Sequence, residues 1–262
     1  MIYNLLFITI LLNEKYVSIN FDDGFYSVYK NAYPLLKKYN FPFTLGLIAG
    51  YLKDRKIKNE NDYRYLTISE IKEMLENLDI EIASHSLTHR YLTKLSDNEI
   101  EREIKESKER LEGIFGREIV TFIYPYGKYD KRVINLLINN GYLQARATCF
   151  GEVNFLLKKW YLPIKEIRKD TKMEEILEYI DKNRYSILLF HRIVKDPKYF
   201  TDYSIKDFEI LIEKLKEKNI KVVTLKEMYE IWWQDFLKKI YLQKKPLEKI
   251  YFPISFDILK IR

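Results

Sequence analysis

The sequence predicts an α/β fold, a parallel sheet covered by helices on its outside. Three observations carry the prediction. About seven strand-helix units alternate along the 262 residues, a length that suits one larger domain with an ample core. The strands are near-continuous apolar runs such as Ile187-Leu188-Leu189-Phe190, the composition of strands buried on both faces. Residues able to do chemistry sit just after strands, at the ends where parallel α/β folds gather their loops on one rim. With 47% apolar and 32% charged residues the chain reads as globular and not as disordered.

Taken in order, Val17, Ile19 and Phe21 alternate with Ser18 and Asn20, the period of a half-buried strand. Tyr26 to Tyr39 has helical spacing, with Val28, Ala32, Leu35 and Leu36 on one face, and Phe43 to Ile48 is the next strand. Residues 51–66 are polar and tyrosine-rich without a period, as in a surface loop bordering the rim. Thr67 to Glu70 is a capping box opening a helix to about Leu78, and strand Ile80 to Ala83 follows. Ser96 to Glu99 is a second capping box; its helix runs to about Gly113, and its dense acid-base pairs read as a solvated outer face without function. Then come strand 119–124, a helix from Asp130 to Asn140 closed by Gly141, and strand Tyr142 to Ala147. Residues 148–170 show no clear pattern and are expected to hold substrate-facing loops. Helix 171–182, strand 186–190, helix 204–218, strand 220–223 and a helix from Lys226 complete the alternation.

The first strand ends in Phe21-Asp22-Asp23-Gly24. Adjacent acids at a strand end point in different directions, so one can bind a metal while the other reaches water or substrate. Taken alone, the same residues also read as a plain turn. The chain has only three histidines. His85 and His89 lie in Ser84-His85-Ser86-Leu87-Thr88-His89, after a strand, and a spacing of four brings two imidazoles onto one side of a helical turn. Two His and one Asp make a three-ligand site that leaves a fourth position for water, the arrangement of catalytic zinc; two solvated turn histidines are the plainer alternative. His191 ends the strand before it, and Phe122-Ile123-Tyr124-Pro125-Tyr126-Gly127 ends another, with Pro and Gly holding an aromatic loop. One shared rim accounts for all four placements.

Phe-Asp-Asp-Gly, His-Ser-x-x-His, Tyr-Pro-Tyr-Gly and Leu-Phe-His, in that order over roughly residues 16–230, resemble the polysaccharide deacetylases of the NodB homology type, carbohydrate esterase family 4. The resemblance implies a distorted (β/α)7 barrel with parallel strands and helices outside, where periodicity alone leaves an open doubly wound sheet equally possible. It implies Asp22 as general base, Asp23, His85 and His89 as ligands of one divalent metal, His191 as general acid, and the Tyr126 N–H as an oxyanion donor. The expected ion is zinc, with cobalt or another first-row ion as alternatives, since His2Asp suits several. Many members of the family carry an Arg two residues before the proline of the third motif, bracing the base; here that position is Ile123. No fourth motif is evident, and Trp160 and Asp170 are only the nearest candidates to line the pocket and support His191.

The resemblance implies a hydrolase acting on carbon-nitrogen bonds other than peptide bonds, removing N-linked or O-linked acetyl groups from a polysaccharide or N-acetylated sugar. Two other readings share its residues: a metal-dependent amidohydrolase of small non-sugar amides, and a non-catalytic glycan-binding relative, which would have no use for both an acid and a base. Residues 1–230 form the expected barrel and 231–262 a basic C-terminal extension docked on it. Seven Lys or Arg against three acids give that tail +4 of the chain's net +7. With Trp232 and Trp233 it could instead touch a membrane surface; nucleic acid is not expected, because no recognition motif is present. Residues 5–12 are the most apolar run, read as a strand or helix of the domain in preference to a remnant signal or anchor, since no basic residue precedes them. That reading favours a cytoplasmic location over an extracytoplasmic one. A single Cys149 excludes an internal disulfide and suits a small buried hydrophobe.

Overall fold

The structure, a computed structural model, describes residues 14–54 and 61–242; the apolar run 5–12 and the tail beyond 242 lie outside them. Seven parallel strands form one curled sheet in the order β5-β4-β3-β2-β1-β7-β6. They are β1 (Tyr16–Phe21), β2 (Phe43–Leu47), β3 (Ile80–Ser84), β4 (Thr121–Ile123), β5 (Gln144–Arg146), β6 (Lys165–Glu166) and β7 (Tyr185–Phe190). The ring closes through residues 162–166. Leu162 N donates to Ala145 O and Ala147 N to Leu162 O on the β5 side, while Lys165 and Glu166 pair with Leu188 and Leu189 of β7. The fold is therefore the distorted (β/α)7 barrel. Residues 148–170, patternless in sequence, supply its closing strand, after a short helix Phe155–Lys158.

Strand parity sorts the barrel into two faces. Val17, Ile19 and Phe21 of β1, Phe43, Leu45 and Leu47 of β2, and Leu188 and Phe190 of β7 lie in one buried cluster with helix residues Phe208, Leu211 and Ile212. The alternate residues point inward, and at the lower level they are polar. Thr44 and Thr121 donate to the buried Glu81 at 2.9 and 2.5 Å, and Gln144 donates to Thr121 at 2.9 Å. An apolar barrel interior would have been simpler to fill, so this layer exists to hold something. At the bottom it receives the N-terminus of helix Leu225–Leu242: Lys226 N donates to Glu81 at 2.8 Å and Leu225 N to Thr44 Oγ1 at 2.9 Å. A carboxylate opposing unpaired N–H groups at a helix start is the favourable polarity. Farther along, the same helix packs Met228 and Trp232 against Phe155 and Tyr185, and Arg184 pairs with Asp235 at 2.5 Å. Among the described residues no helix is long and apolar enough to cross a membrane.

Several elements differ from the sequence expectation. The first helix starts as a π-helical turn (Val28–Ala32) before its α-helical part (Tyr33–Lys38). Helix Asp97–Phe115 passes Gly113 and stops at Gly116, which has φ 62°; Gly113 meets nothing within 4 Å and stays helical. β8 (Arg192–Val194) and β9 (Asp202–Ser204) form a separate two-stranded sheet that no period announced. A last short strand, β10 (Lys221–Val222), pairs with Tyr16 and Val17 at the bottom of β1, while β2 takes the same strand at Asn20 and Phe21. That splayed edge is the distortion of the barrel.

Candidate active site

Register and parity together build the site. Phe21 lies opposite Phe190, Leu47 opposite Ser84, and Ser84 opposite Phe122. The residues just past those pairs leave the sheet at one level. Asp22 follows Ser18 and Asn20, His85 follows Glu81 and Ala83, and His191 follows Ile187 and Leu189, all in inward phase. Asp23 falls in the outward phase, and its φ of 70° turns it back. Ser86, His89 and Tyr126 also have positive φ, at 66°, 60° and 58°. Four of the six non-glycine residues with positive φ among the described residues thus lie at this rim. Backbone in that region costs about 1–3 kcal/mol per residue and persists where the surroundings enforce it.

Asp23, His85 and His89 converge. The Nε2 atoms of the two histidines are 3.1 Å apart, and Asp23 Oδ1 lies 3.4 Å from His85 Nε2 and 3.5 Å from His89 Nε2. Ligand atoms 2.0–2.2 Å from a tetrahedral ion are separated by roughly 3.3–3.6 Å; the triad has the edges of a first-row divalent site. His85 Nδ1 is 2.9 Å from the Ile123 carbonyl. A carbonyl can only accept, so Nδ1 carries the proton and Nε2 is left free to ligate. Electrostatics agree. Burial opposes the Asp23 carboxylate, but its bond to His85 and the nearby charges of His85, His191 and His89 prevail and bring its pKa down to about 2. Burial first, and then the adjacent His85, push His89 down to about 4, which keeps that ring neutral as ligation requires.

The His loop is held from below. His89 N donates to Ser86 Oγ at 2.9 Å, and Thr88 donates both its N–H, at 2.8 Å, and its hydroxyl to Glu103. Glu103 is buried on helix Asp97–Phe115, so the expectation that this charged helix is only a solvated face is corrected for its inner side. Its acid-base pairs at 102/106 and 105/109 are indeed exposed.

Asp22 is 3% exposed and its carboxylate pairs with Arg146, a fully buried side chain at the end of β5. The brace missing at Ile123 therefore comes from the next strand, since Ile123 and Arg146 are register partners. Room for it is made by Gly46, where a Cβ would lie 2.7 Å from Ile123 Cδ1 and 3.2 Å from Asp22 Oδ1. Arg146 escaped the sequence reading. Its signal was a charged residue in inward phase at the C-terminal end of an otherwise apolar strand. His191 borders the triad, and its Nδ1 is buried without a hydrogen-bond partner among the described residues. Neither earlier candidate supports it: Asp170 is exposed, and Trp160 accepts from Tyr124 through its carbonyl while its ring faces Lys159. Tyr126 sits at the rim with its ring 4.6 Å from that of His89.

A parallel barrel with a buried carboxylate-guanidinium pair beside a His2Asp triad defines a class of metal-site α/β barrel. The sequence profile described as polysaccharide deacetylase matches residues 11–145, and the chain belongs to that family. YxkH of Bacillus subtilis (strain 168), named as a polysaccharide deacetylase, is 32% identical over 136 residues, 52% of this chain and 46% of that protein. A poly-β-1,6-N-acetyl-D-glucosamine N-deacetylase of Staphylococcus aureus (strain N315) is 32% identical over 122 residues, 44% of this chain and 41% of that protein. The matched stretch thus spans under half the length of these curated relatives. In fold, the chain resembles the peptidoglycan deacetylase PdaC from Bacillus subtilis, with a TM-score of 0.60 at 20% identity over 89% of this chain and 98% of that one. It likewise resembles a family 4 acetyl xylan esterase from Clostridium thermocellum solved with a cobalt ion, at 0.58 and 20% over 83% and 91%.

Proposed function

We propose that this chain is a metal-dependent hydrolase that removes acetyl groups, N-linked in the first instance, from a polysaccharide or N-acetylated sugar. The observation that carries the reading is the meeting, on one rim, of the Asp23, His85 and His89 triad with the Arg146-braced carboxylate of Asp22. Asp23, His85 and His89 would hold the ion, zinc in preference to cobalt. When bound, a divalent ion lowers the pKa of a coordinated water and polarises the acetyl carbonyl.

The chain's own residues do the rest. Asp22, oriented by Arg146, takes a proton from the attacking water. The Tyr126 N–H, carried on a loop held in left-handed backbone, donates to the oxygen that becomes negative as the carbonyl turns tetrahedral. An amine leaves poorly unless protonated, and His191 delivers a proton to that nitrogen. Its unpartnered Nδ1 leaves the ring free to reorient during the cycle.

The test is metal content together with acetate release from N-acetylglucosamine oligomers. Wild type should carry about one ion and release acetate; Asp22→Asn should keep the ion and lose at least 10²-fold in rate; His85→Ala should lose both. Normal metal uptake without release from any acetylated sugar would favour the reading as an amidohydrolase of small non-sugar amides.

A further inference from the structure

The chemistry above uses only the main chain of Tyr126, yet a set of aromatic rings surrounds the triad. Tyr51, Tyr65, Tyr91 and Tyr126 are 39%, 36%, 40% and 46% exposed. Single exposed rings are ordinary, whereas rings gathered at one place mark a contact surface. These follow the barrel. Phe25 lies after β1, Tyr51 after β2, Tyr91 after β3 and Tyr126 after β4, four neighbouring strands in the sheet. Tyr65 stacks on Phe25 with centroids 5.2 Å apart and meets Tyr51 at 4.9 Å; Tyr126 lies flat on Tyr91 at 3.8 Å and leans over His89. Four neighbouring strands span roughly 15 Å of rim, several times the width of one pyranose ring.

The arc is preformed. Phe25 and Tyr65 are joined by an antiparallel bridge, Tyr26 N donates to Arg64 O at 2.7 Å, and Gly50 N donates to Leu87 O at 2.7 Å. Arg192, next to His191, lies 4.8 Å from the Phe25 ring and 5.1 Å from those of Tyr63 and Tyr199, and its Nε donates to the buried Asp202 at 2.7 Å. Rings held open in this way need little ordering when a ligand arrives. Tyrosine offers an apolar face for the C–H face of a sugar and a hydroxyl for its polar edge. An acetamide of a few atoms would leave most of the arc uncovered.

We infer that this arc is a wall that grips several consecutive rings of a linear N-acetylhexosamine chain, so that acetyl groups are removed within the chain and not only at its end. The inference rests on the deacetylase reading. Tyr51, Tyr65 and Tyr91 are its specificity-determining residues.

The experiment measures two quantities with N-acetylglucosamine oligomers of one to five units in β-1,4 and β-1,6 linkage: acetate release by zinc-loaded wild type, and binding to zinc-loaded Asp22→Asn. Both should strengthen with length, with kcat/KM rising at least tenfold from dimer to tetramer in one linkage series. Tyr51→Ala, Tyr65→Ala and Tyr91→Ala should each lower the tetramer-to-dimer ratio severalfold with zinc uptake intact, while Ile138→Ala, exposed on helix Lys131–Asn139, leaves it unchanged. Release independent of length, or tyrosine variants that keep the wild-type ratio, overturns the wall and leaves the deacetylase standing. Length-dependent binding without any release upholds the wall and overturns the deacetylase reading. Neither binding nor release overturns both.

Discussion

Arg146 reaches Asp22 across the rim of the barrel, joining the ends of β5 and β1 through a contact between residues 124 apart in the chain. Both side chains are buried, so each charge depends on the other. Removing one partner of such a pair costs about 3–5 kcal/mol, because the remaining charge stays desolvated. Arg146→Ala is expected to lower stability by that amount and acetate release by about 10²–10⁴. Arg146→Lys should recover part of the stability and less of the rate, since an ammonium lacks the planar fork that orients a carboxylate. Thermal unfolding and kcat measured on the two variants check this.

The metal-free protein should lose stability as pH falls from 6.5 toward 4. His89 has a folded pKa pushed down to about 4, by burial first and then by His85. Between that value and the ordinary 6.5 the unfolded chain binds the extra proton, so stability rises with pH and its contribution is complete above 6.5. His85 is raised, as Asp23 and Asp22 outweigh its burial, and its opposite slope falls above pH 6.5. Asp23, lowered to about 2, acts below pH 4. Melting temperatures in chelator across pH 4–6.5 should show the slope, and His89→Gln should flatten it.

Glu103 should matter for metal affinity although it touches no ligand atom. Glu103→Ala leaves the N–H and hydroxyl of Thr88 without partners, at a cost of about 1–3 kcal/mol. It also loosens the turn that aims His89. Losing a group that orients a ligand typically lowers affinity about 10–100-fold. Zinc competition against a chelator measures this, and unchanged affinity would contradict the role.

Glu81 should matter for stability alone. It receives the first turn of helix Leu225–Leu242 at the end of the barrel away from the triad. Burial pushes its carboxyl up, so Glu81→Gln, which keeps an acceptor for Lys226 N, should cost under about 1 kcal/mol. Glu81→Ala orphans that N–H and both threonine hydroxyls and should cost about 1–3 kcal/mol per buried group left unpaired. Metal uptake should stay unchanged in both.

The strands, both capping boxes and the four motifs were legible in the sequence, because each rests on residues within a few positions of one another. The Thr67 box forms with Glu70 as its spacing implies, and the Ser96 box forms with Glu99. Asp22, Asp23, His85, His89 and His191 were found because each ends a strand whose period was visible. The closing strand at 165–166 was not legible, since two residues carry no period. The left-handed backbone of Asp23 and His89 had no signal either, as nothing in an Asp or a His demands it.

What the sequence by itself determined is local: the alternating periods that make a parallel α/β barrel, and the placing of acids and histidines one step beyond its strands. Only the tertiary structure decided which distant residue answers each of them. Arg146 serves Asp22, Glu103 serves the His loop, Glu81 serves the last helix, and Tyr65 returns from a separate loop to Phe25. The physical reason is that these partners depend on closure of the sheet, where register and parity choose which side chains share the interior. A buried charge accepts whichever partner that closure presents, at any separation along the chain.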